Sequence, residues 1–401
     1  MAEGVFPSPL YLPGQQLELA LDDVEPGWAA TFESEADVRE PEQPQPPSVS
    51  ILIPVRNGAS HVGMCLDAVL RQDYPTELIQ VIVADGDSTD RTFDIIKERI
   101  RGVGRAQLIR NPGQIVPTGM NLMTPMATGD VIIRIDGHCE VAPDYVRRCV
   151  EHLTKEGIDG VGGSITTIGH TPLSGTIALA MSSPFGVRDS AFRTQSERSL
   201  LADTIPFPAY TRSIVARAGS YDEELVRDQD DEYNYRIREM GGRLLLAGDI
   251  NTSYHGRTSL SRLWRQYFEY GFYKVRVLQK HPRQMRSRQF VPPLFALSVV
   301  LSLCITGLFS WGWGALASVA GSYALANLAA SAAAASKKGW RHIAFLPIVY
   351  AILHLSYGLG FLAGLMRFWN RWGDRVGRVP RCSARQAGAL RGFGVDSYRD
   401  R

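Results

Sequence analysis

Between Ser48 and Asp136 the chain repeats one pattern, and that pattern limits the folds open to it. Short runs rich in branched aliphatics (SVSILIPV, LIQVIVAD, AQLIR and VIIRID) alternate with stretches whose apolar residues recur at helical spacing. A short apolar run that ends in turn residues is the mark of a strand buried on both faces. Strand and helix in alternation imply a parallel sheet wrapped by helices. The spacing predicts helices over 61–72, 91–101 and 117–128, the first carried by Val62, Leu66, Val69 and Leu70. Ser88, Thr89 and Asp90 can cap the second.

In open sheets of this kind, ligands bind beyond the carboxyl ends of the strands. Asn57, Asp85 and Asp136 each stand at such an end. In VIIRIDGHCE, Asp136 and His138 lie two apart across a glycine, where both side chains can enter one cleft. A hard carboxylate oxygen beside an imidazole suits Mn²⁺, and Mg²⁺ less well. Taken alone, Asp-x-His reads equally as a capped turn with an ordinary loop histidine. The convergence of three strand ends is what favours a site. Asp85 can accept hydrogen bonds from the edge of a base, and the diphosphate of a nucleotide then calls for a cation. The first strand–loop–helix turn lacks G-x-G-x-x-G, and no G-x-x-x-x-G-K-[ST] occurs, which argues against dinucleotide dehydrogenases and P-loop enzymes.

A second group of carboxylates, Asp228, Asp230, Asp231 and Glu232, opens a segment that reads as a helix ending at Gly241-Gly242. Such a cluster is either a solvated helix start or the source of a general base whose proton affinity its neighbours raise. After a strand over 243–247, Tyr254-His255-Gly256-Arg257 stands where it can touch a diphosphate. Residues 259–273 are amphipathic, with Leu260, Leu263, Trp264, Tyr267 and Phe268 on one side; they form an interfacial roof over the site or plain core packing.

Residues 290–310, 311–335 and 343–366 carry no charge, and each run is long enough to span about 30 Å of hydrocarbon. Pro347, Gly358, Gly360 and Gly364 interrupt the last, leaving a span, a hairpin or an interfacial segment open. With a cytosolic catalytic part, Lys337, Lys338 and Arg341 fall inside as the positive-inside rule asks, and the hairpin reading would keep the tail inside too. Charge nearly cancels at +2, but residues 1–47 hold ten acids against Arg39. Six Lys/Arg residues lie between 274 and 288, and nine arginines follow from 367. Flanking the apolar third, these basic clusters point to an anionic membrane surface rather than to nucleic acid. The five cysteines show no paired spacing and read as reduced thiols in a cytosolic domain. No basic stretch followed by an apolar core marks a signal peptide.

VSILIPVRNGASHVGMCLDAVLRQDYP, VIVADGDSTDRT and ATGDVIIRIDGHCEVAPDYV together resemble the nucleotide-sugar half of an inverting family 2 glycosyltransferase with a GT-A fold. The DGH form of D-x-D, with RNPG before it, is similar to the succinoglycan glucosyltransferase (ExoA-type) branch. The likeness runs over roughly residues 48–280. It implies that Pro54, Arg56, Asn57 and Asp85 line the nucleotide pocket and that Asp136 and His138 hold a divalent metal, Mn²⁺ or Mg²⁺, on the diphosphate. His138 stands where a second Asp is commoner. DQDDEYNYR lies over E-D-x-D-L-x-x-R, which puts Asp230 at the catalytic-base position and Gln229 in place of Glu. Asp231, Arg257, Arg265 and Gln266 are candidates for the acceptor or the diphosphate. Glu269 and Tyr270 replace the Arg and Trp of Q-x-x-R-W, which argues against a processive synthase.

The expected organisation is an acidic, Pro-rich, disordered arm (1–47), a catalytic domain with a mainly parallel sheet and flanking helices (48–258), an amphipathic helix and basic linker (259–289), a membrane region (290–366) and a basic tail (367–401). The expected function is transfer of a sugar from a nucleotide donor, a UDP-sugar foremost, to a lipid-linked or growing glycan acceptor. The expected setting is the plasma membrane, multi-pass, with the catalytic domain cytoplasmic, in exopolysaccharide or cell-envelope assembly. The alternatives are a processive synthase and a catalytically silent membrane scaffold that binds nucleotide or glycan.

Overall fold

The structure is a computed structural model that describes residues 45–155, 157–168, 171–187, 198–255 and 259–373. Most of the expected acidic arm, nearly all of the basic tail, and Arg257 lie outside these residues. The strands are β1 (Val49–Val55), β2 (Ile79–Asp85), β3 (Ala106–Arg110), β4 (Val131–Arg134), β5 (Cys139–Val141), β6 (Gly160–Ile168), β7 (Leu200–Leu201), β8 (Ala209–Thr211) and β9 (Leu244–His255). The first helices are α1 (Val62–Leu70), α2 (Thr92–Arg99), α3 (Val116–Met123), α4 (Tyr145–Leu153), α5 (Pro172–Met181), α6 (Arg212–Ala218) and α7 (Gln229–Glu239). Then come α8 (Leu260–Lys280), α9 (Val291–Leu308), α10 (Gly312–Lys338) and α11 (Leu346–Arg367).

The described strands make one sheet in the order β3-β2-β1-β4-β8-β6-β9-β5, with β7 on the flank of β9. β1 pairs in parallel with β2 and β4, and β2 with β3, while β8 runs antiparallel between β4 and β6. This is the mainly parallel, helix-flanked α/β sheet of the GT-A type. The reason for unbroken aliphatic runs is visible in β1. Ile51 and Ile53 join Val62, Leu66 and Tyr145 on one face; Leu52 joins Ile82, Met120 and Tyr233 on the other. Each strand residue therefore feeds a core, and truncating one such side chain to Ala costs about 2–5 kcal/mol. Val55 stands opposite Asp85, and Asp85 opposite Arg110, so three strands end in register at one edge.

A third core ties the catalytic part to the apolar helices: Ile177 and Met181 of α5, Leu263 and Tyr267 of α8, and Val349, Tyr350 and Leu353 of α11. α8 is one helix of 21 residues lying along α11. A Cβ on Gly271 would drive into the Tyr357 carbonyl, and one on Gly360 into the Phe268 carbonyl. The glycines that looked like interruptions are thus contact points. α11 is one unbroken helix, so the hairpin alternative does not hold. Among the described residues, three helices are long and apolar enough to cross a membrane: Ser287–Leu308, Gly312–Lys338 and Leu346–Arg367.

The basic run over 274–288 departs from the expected lipid-facing patch. Lys274 donates to Asp231 at 2.5 Å and Arg276 to Glu224 at 2.8 Å, while Lys280 contacts Asp222 and Arg286 contacts Asp203. Four of the six cations are turned onto carboxylates of the α/β part; for Lys274 and Arg276, buried on α8, a charge must be paired.

Candidate active site

A cleft of about 1580 Å³ opens beyond the strand ends and continues down to the apolar helices. Of the residues predicted to form a site, Pro54, Arg56, Asn57, Asp136, His138, Asp230, Asp231 and Gln266 line it. Asp85 does not; it sits beneath, 2% exposed, with the neighbouring Gly86 lining the cleft. Arg265 is exposed and off the cleft. Among the described residues, five non-glycines adopt left-handed φ: Asn57, Asp87, Gln114, Phe207 and Asp228. All but Asp87 line the cleft. Backbone held in sparsely populated conformations collects at functional sites, and here it marks the same place as the chemistry.

On the side of β1 and β2, the loops are stitched to each other. The Asn57 amide donates to Ser88 Oγ at 2.9 Å, and Asn57 Oδ1 accepts from the Thr89 amide at 2.8 Å. Asp85 Oδ2 accepts from the Ser88 amide at 3.0 Å, whereas its Oδ1 is buried with no hydrogen-bond partner. A buried carboxylate oxygen left open is an acceptor awaiting a donor, since such a group is costly to leave unmet. The RNPG loop closes this side: the Asn111 amide donates to the Asp85 carbonyl at 2.7 Å, and Asn111 Oδ1 accepts from Thr118 Oγ1 at 2.8 Å.

The DGH turn presses against β1. A Cβ on Gly137 would meet Val55 Cγ2 at 2.8 Å, which is why glycine separates Asp136 from His138. Arg134, the last residue of β4, reaches forward and donates through Nε and Nη2 to Asp136 Oδ1 at 3.1 and 2.8 Å. Its Nη1 is in ion-pair contact with Asp230 across the cleft floor. Burial alone would push the Asp136 carboxyl up; Arg134, and after it His138, overcome that and hold it below the ordinary carboxylate value. Asp136 and His138 both line the cleft, and no group of three or more ligating side chains exists among the described residues. Both Arg134 bonds fall on Oδ1, so Arg134 does not occupy Oδ2. Two protein donors fit a cation whose remaining ligands are substrate phosphates and water.

The four carboxylates at the start of α7 have been sorted into different roles. Glu232 is buried in an ion pair with Arg236 at 2.6 Å and accepts from His281, so it is structural. Asp231 is raised by burial but held low on balance by Lys274. Asp230 meets Arg134. Asp228, at the left-handed position before the helix, keeps Oδ2 buried with no hydrogen-bond partner. Burial, opposed by Lys274 and reinforced by Asp231, pushes Asp228 up to about 7.

Sequence reasoning passed over Arg134, whose only trace is a cation inside an otherwise aliphatic strand, and Lys274, which lies 43 residues from the Asp231 it holds. Cys139, next to the DGH turn, is buried, and burial drives its thiol well above the ordinary value, so it is no nucleophile.

Residues 50–220 match the family model described as Glycosyl transferase family 2. The succinoglycan biosynthesis protein ExoA of Rhizobium meliloti (strain 1021) is 27% identical over 324 residues, which cover 80% of this chain and 96% of that protein. A dolichyl N-acetyl-alpha-D-glucosaminyl phosphate 3-beta-D-2,3-diacetamido-2,3-dideoxy-beta-D-glucuronosyltransferase of Methanococcus voltae is 25% identical over 327 residues, 80% of this chain and 97% of that one. Among solved structures, mannosyltransferase PcManGT from Pyrobaculum calidifontis, in complex with GDP-Man and Mn²⁺, superposes with a TM-score of 0.51 at 18% identity. That superposition covers 80% of this chain and 88% of the other, and it bears on the fold.

Proposed function

We propose, from the premise that this chain carries a family 2 glycosyltransferase domain on a GT-A fold, that it is a membrane-anchored inverting enzyme. It moves one sugar from a nucleotide diphosphate donor, a UDP-sugar foremost, to a lipid-linked glycan in exopolysaccharide or cell-envelope assembly. The observation that carries this reading is the meeting of Asp136, His138 and Asp230, from segments far apart in sequence, around the cleft that Asp85 underlies.

The open Oδ1 of Asp85 accepts from the edge of the base, while Pro54, Arg56 and Asn57 wall the nucleotide. Asp136 and His138 would hold a divalent cation, which would neutralise charge growing on the departing diphosphate. Asp230 takes the proton of the acceptor hydroxyl as that oxygen attacks the anomeric carbon. Asp231 and Gln266 stand on the acceptor side of the same cleft.

A lipid-linked acceptor is favoured because the cleft does not stop at the catalytic part. Phe295 of α9, Val319 and Tyr323 of α10 and Leu353 of α11 form its far wall, and Arg283 and Arg286 line it between the two ends. One end suits a sugar, the other an apolar chain, with cations between them. The Methanococcus relative's name places its acceptor on a dolichyl phosphate, in keeping with this arrangement. The buried free thiols Cys65, Cys139 and Cys149 favour a cytosolic catalytic domain.

The experiment is a screen of UDP- and GDP-sugars with Mn²⁺ and a polyprenyl-linked acceptor, run beside Asp230→Asn. Transfer by the wild type and its loss in the variant are expected. Full activity in the variant would remove Asp230 from the mechanism, and indifference to chelator would remove the metal.

A further inference from the structure

Arg134 is an expensive residue to place where it is. It ends a buried strand, is 3% exposed, and brings a cation to the floor of the cleft. A buried guanidinium is tolerated only when its charge and donors are met, and the way they are met is informative. One edge of the fork, Nε and Nη2, is spent on Asp136 Oδ1. The far nitrogen, Nη1, contacts Asp230. A single planar group therefore grips two carboxylates from different parts of the chain, one at the end of β4 and one in the first turn of α7. These are the two carboxylates to which the proposed mechanism gives unlike tasks: gripping the diphosphate end of the donor, and taking the acceptor's proton.

We propose that Arg134 is a positioning residue that sets the spacing and orientation of Asp136 and Asp230 across the cleft. The inference rests on the sugar-transfer reading. The guanidinium is rigid, so its two hydrogen bonds fix Asp136, and its far edge sets where the Asp230 carboxylate rests in ion-pair contact. A bare positive charge would neutralise the carboxylates but could not hold both at set angles, because an ammonium on a flexible stem has no fork. Without any cation, two carboxylates facing one floor repel, and α7 has no ion pair to draw Asp230 down. Arg134 itself touches neither donor nor acceptor in this scheme; it acts through its two partners.

The test uses the full-length protein in lipid nanodiscs with Arg134→Lys and Arg134→Gln beside Asp230→Asn. Turnover is followed with the donor that the wild type uses, and binding of UDP with Mn²⁺ by calorimetry and by the Mn²⁺ electron spin signal. The expected result for Arg134→Lys is a fall in kcat of about a hundredfold, the scale of a reacting group misplaced by about 1 Å, with donor KM within about threefold of wild type. UDP-dependent Mn²⁺ binding stays within about threefold, since Arg134 bonds only Oδ1 of Asp136 and does not occupy its other oxygen. Arg134→Gln is expected to lose more turnover than Arg134→Lys, with the Lys variant recovering part of the loss. A merely structural arginine would give a different pattern, with binding and turnover lost together as the turn collapses. Wild-type kcat in Arg134→Lys overturns the proposal, and so does parallel loss of kcat and Mn²⁺–UDP binding. Activity retained in Asp230→Asn would instead overturn the base assignment, so the two failures are told apart.

Discussion

On one side of the cleft, Asn57, Asp85 and Asn111 are held by hydrogen bonds to the backbone and side chains of adjoining turns. On the other, Asp230, Asp231 and Glu232 are each set against a cation, drawn from β4, from α8 and from their own helix. The first side is knit by local hydrogen bonds, with Asp85 Oδ1 left without a hydrogen-bond partner. The second is a set of paired charges, of which Asp230 and Asp231 depend on partners far away in the chain. On the proposed reading, the locally closed turns serve recognition, and the charges held by long-range pairs serve a step in which charge moves. A lesion on the first side should therefore appear in binding, and a lesion on the second in turnover.

The largest effect that can break this contrast is Asp230→Asn. Loss of a general base is expected to lower kcat by about 10²–10⁴-fold, with UDP binding by calorimetry nearly unchanged. Equal loss in both measurements would erase the distinction between the sides. Asp85→Asn is the mirror experiment. Removing a charged acceptor from a base edge is expected to weaken UDP binding by about 10–100-fold, the scale of a hydrogen bond to a charged group, while kcat at saturating donor is largely kept. His138→Ala tests the border between the halves. The Mn²⁺ needed for half-maximal turnover is expected to rise at least about tenfold, since even a lost partner of a ligand costs that much, and an unchanged requirement would take His138 out of the metal site.

The smallest effect concerns Asp228, whose proton affinity is raised to about 7 from 3.8 in an unfolded chain. Between those values the native state holds a proton that the unfolded state does not, so its burial becomes costlier as pH rises through the window. Asp228→Asn is thus expected to raise the melting temperature at pH 8, by about 2–4 °C for each 1 kcal/mol recovered, and to raise it less at pH 5. A gain independent of pH between 5 and 8 would show that Asp228 does not titrate there.

The nucleotide side was largely legible in the sequence because local rules write it. Aliphatic runs announced β1, β2 and β4, and the polar residues just past them fell at the strand ends. The transfer side was legible only as a list of carboxylates. Nothing periodic joins Arg134 to Asp230 or Lys274 to Asp231, so their sorting into pairs had to wait for the fold. The same blindness turned the basic run over 274–288 into a supposed lipid-facing patch, when four of its cations face acids of the catalytic part. It also made Gly358, Gly360 and Gly364 look like breaks in a span. They are instead the flat face that lets α11 meet α8 and α9 at backbone distance. Phe207, left-handed at the cleft wall, had no sequence signal at all.

The central claim is a single displacement at the anomeric carbon, with Asp230 as base and no covalent enzyme intermediate. The direct measurement is the anomeric configuration of the first product formed from an α-linked nucleotide-sugar, read by proton NMR before any equilibration. The account predicts a β-linked product. An α-linked product would require a nucleophile that the cleft is not assigned, and would contradict it.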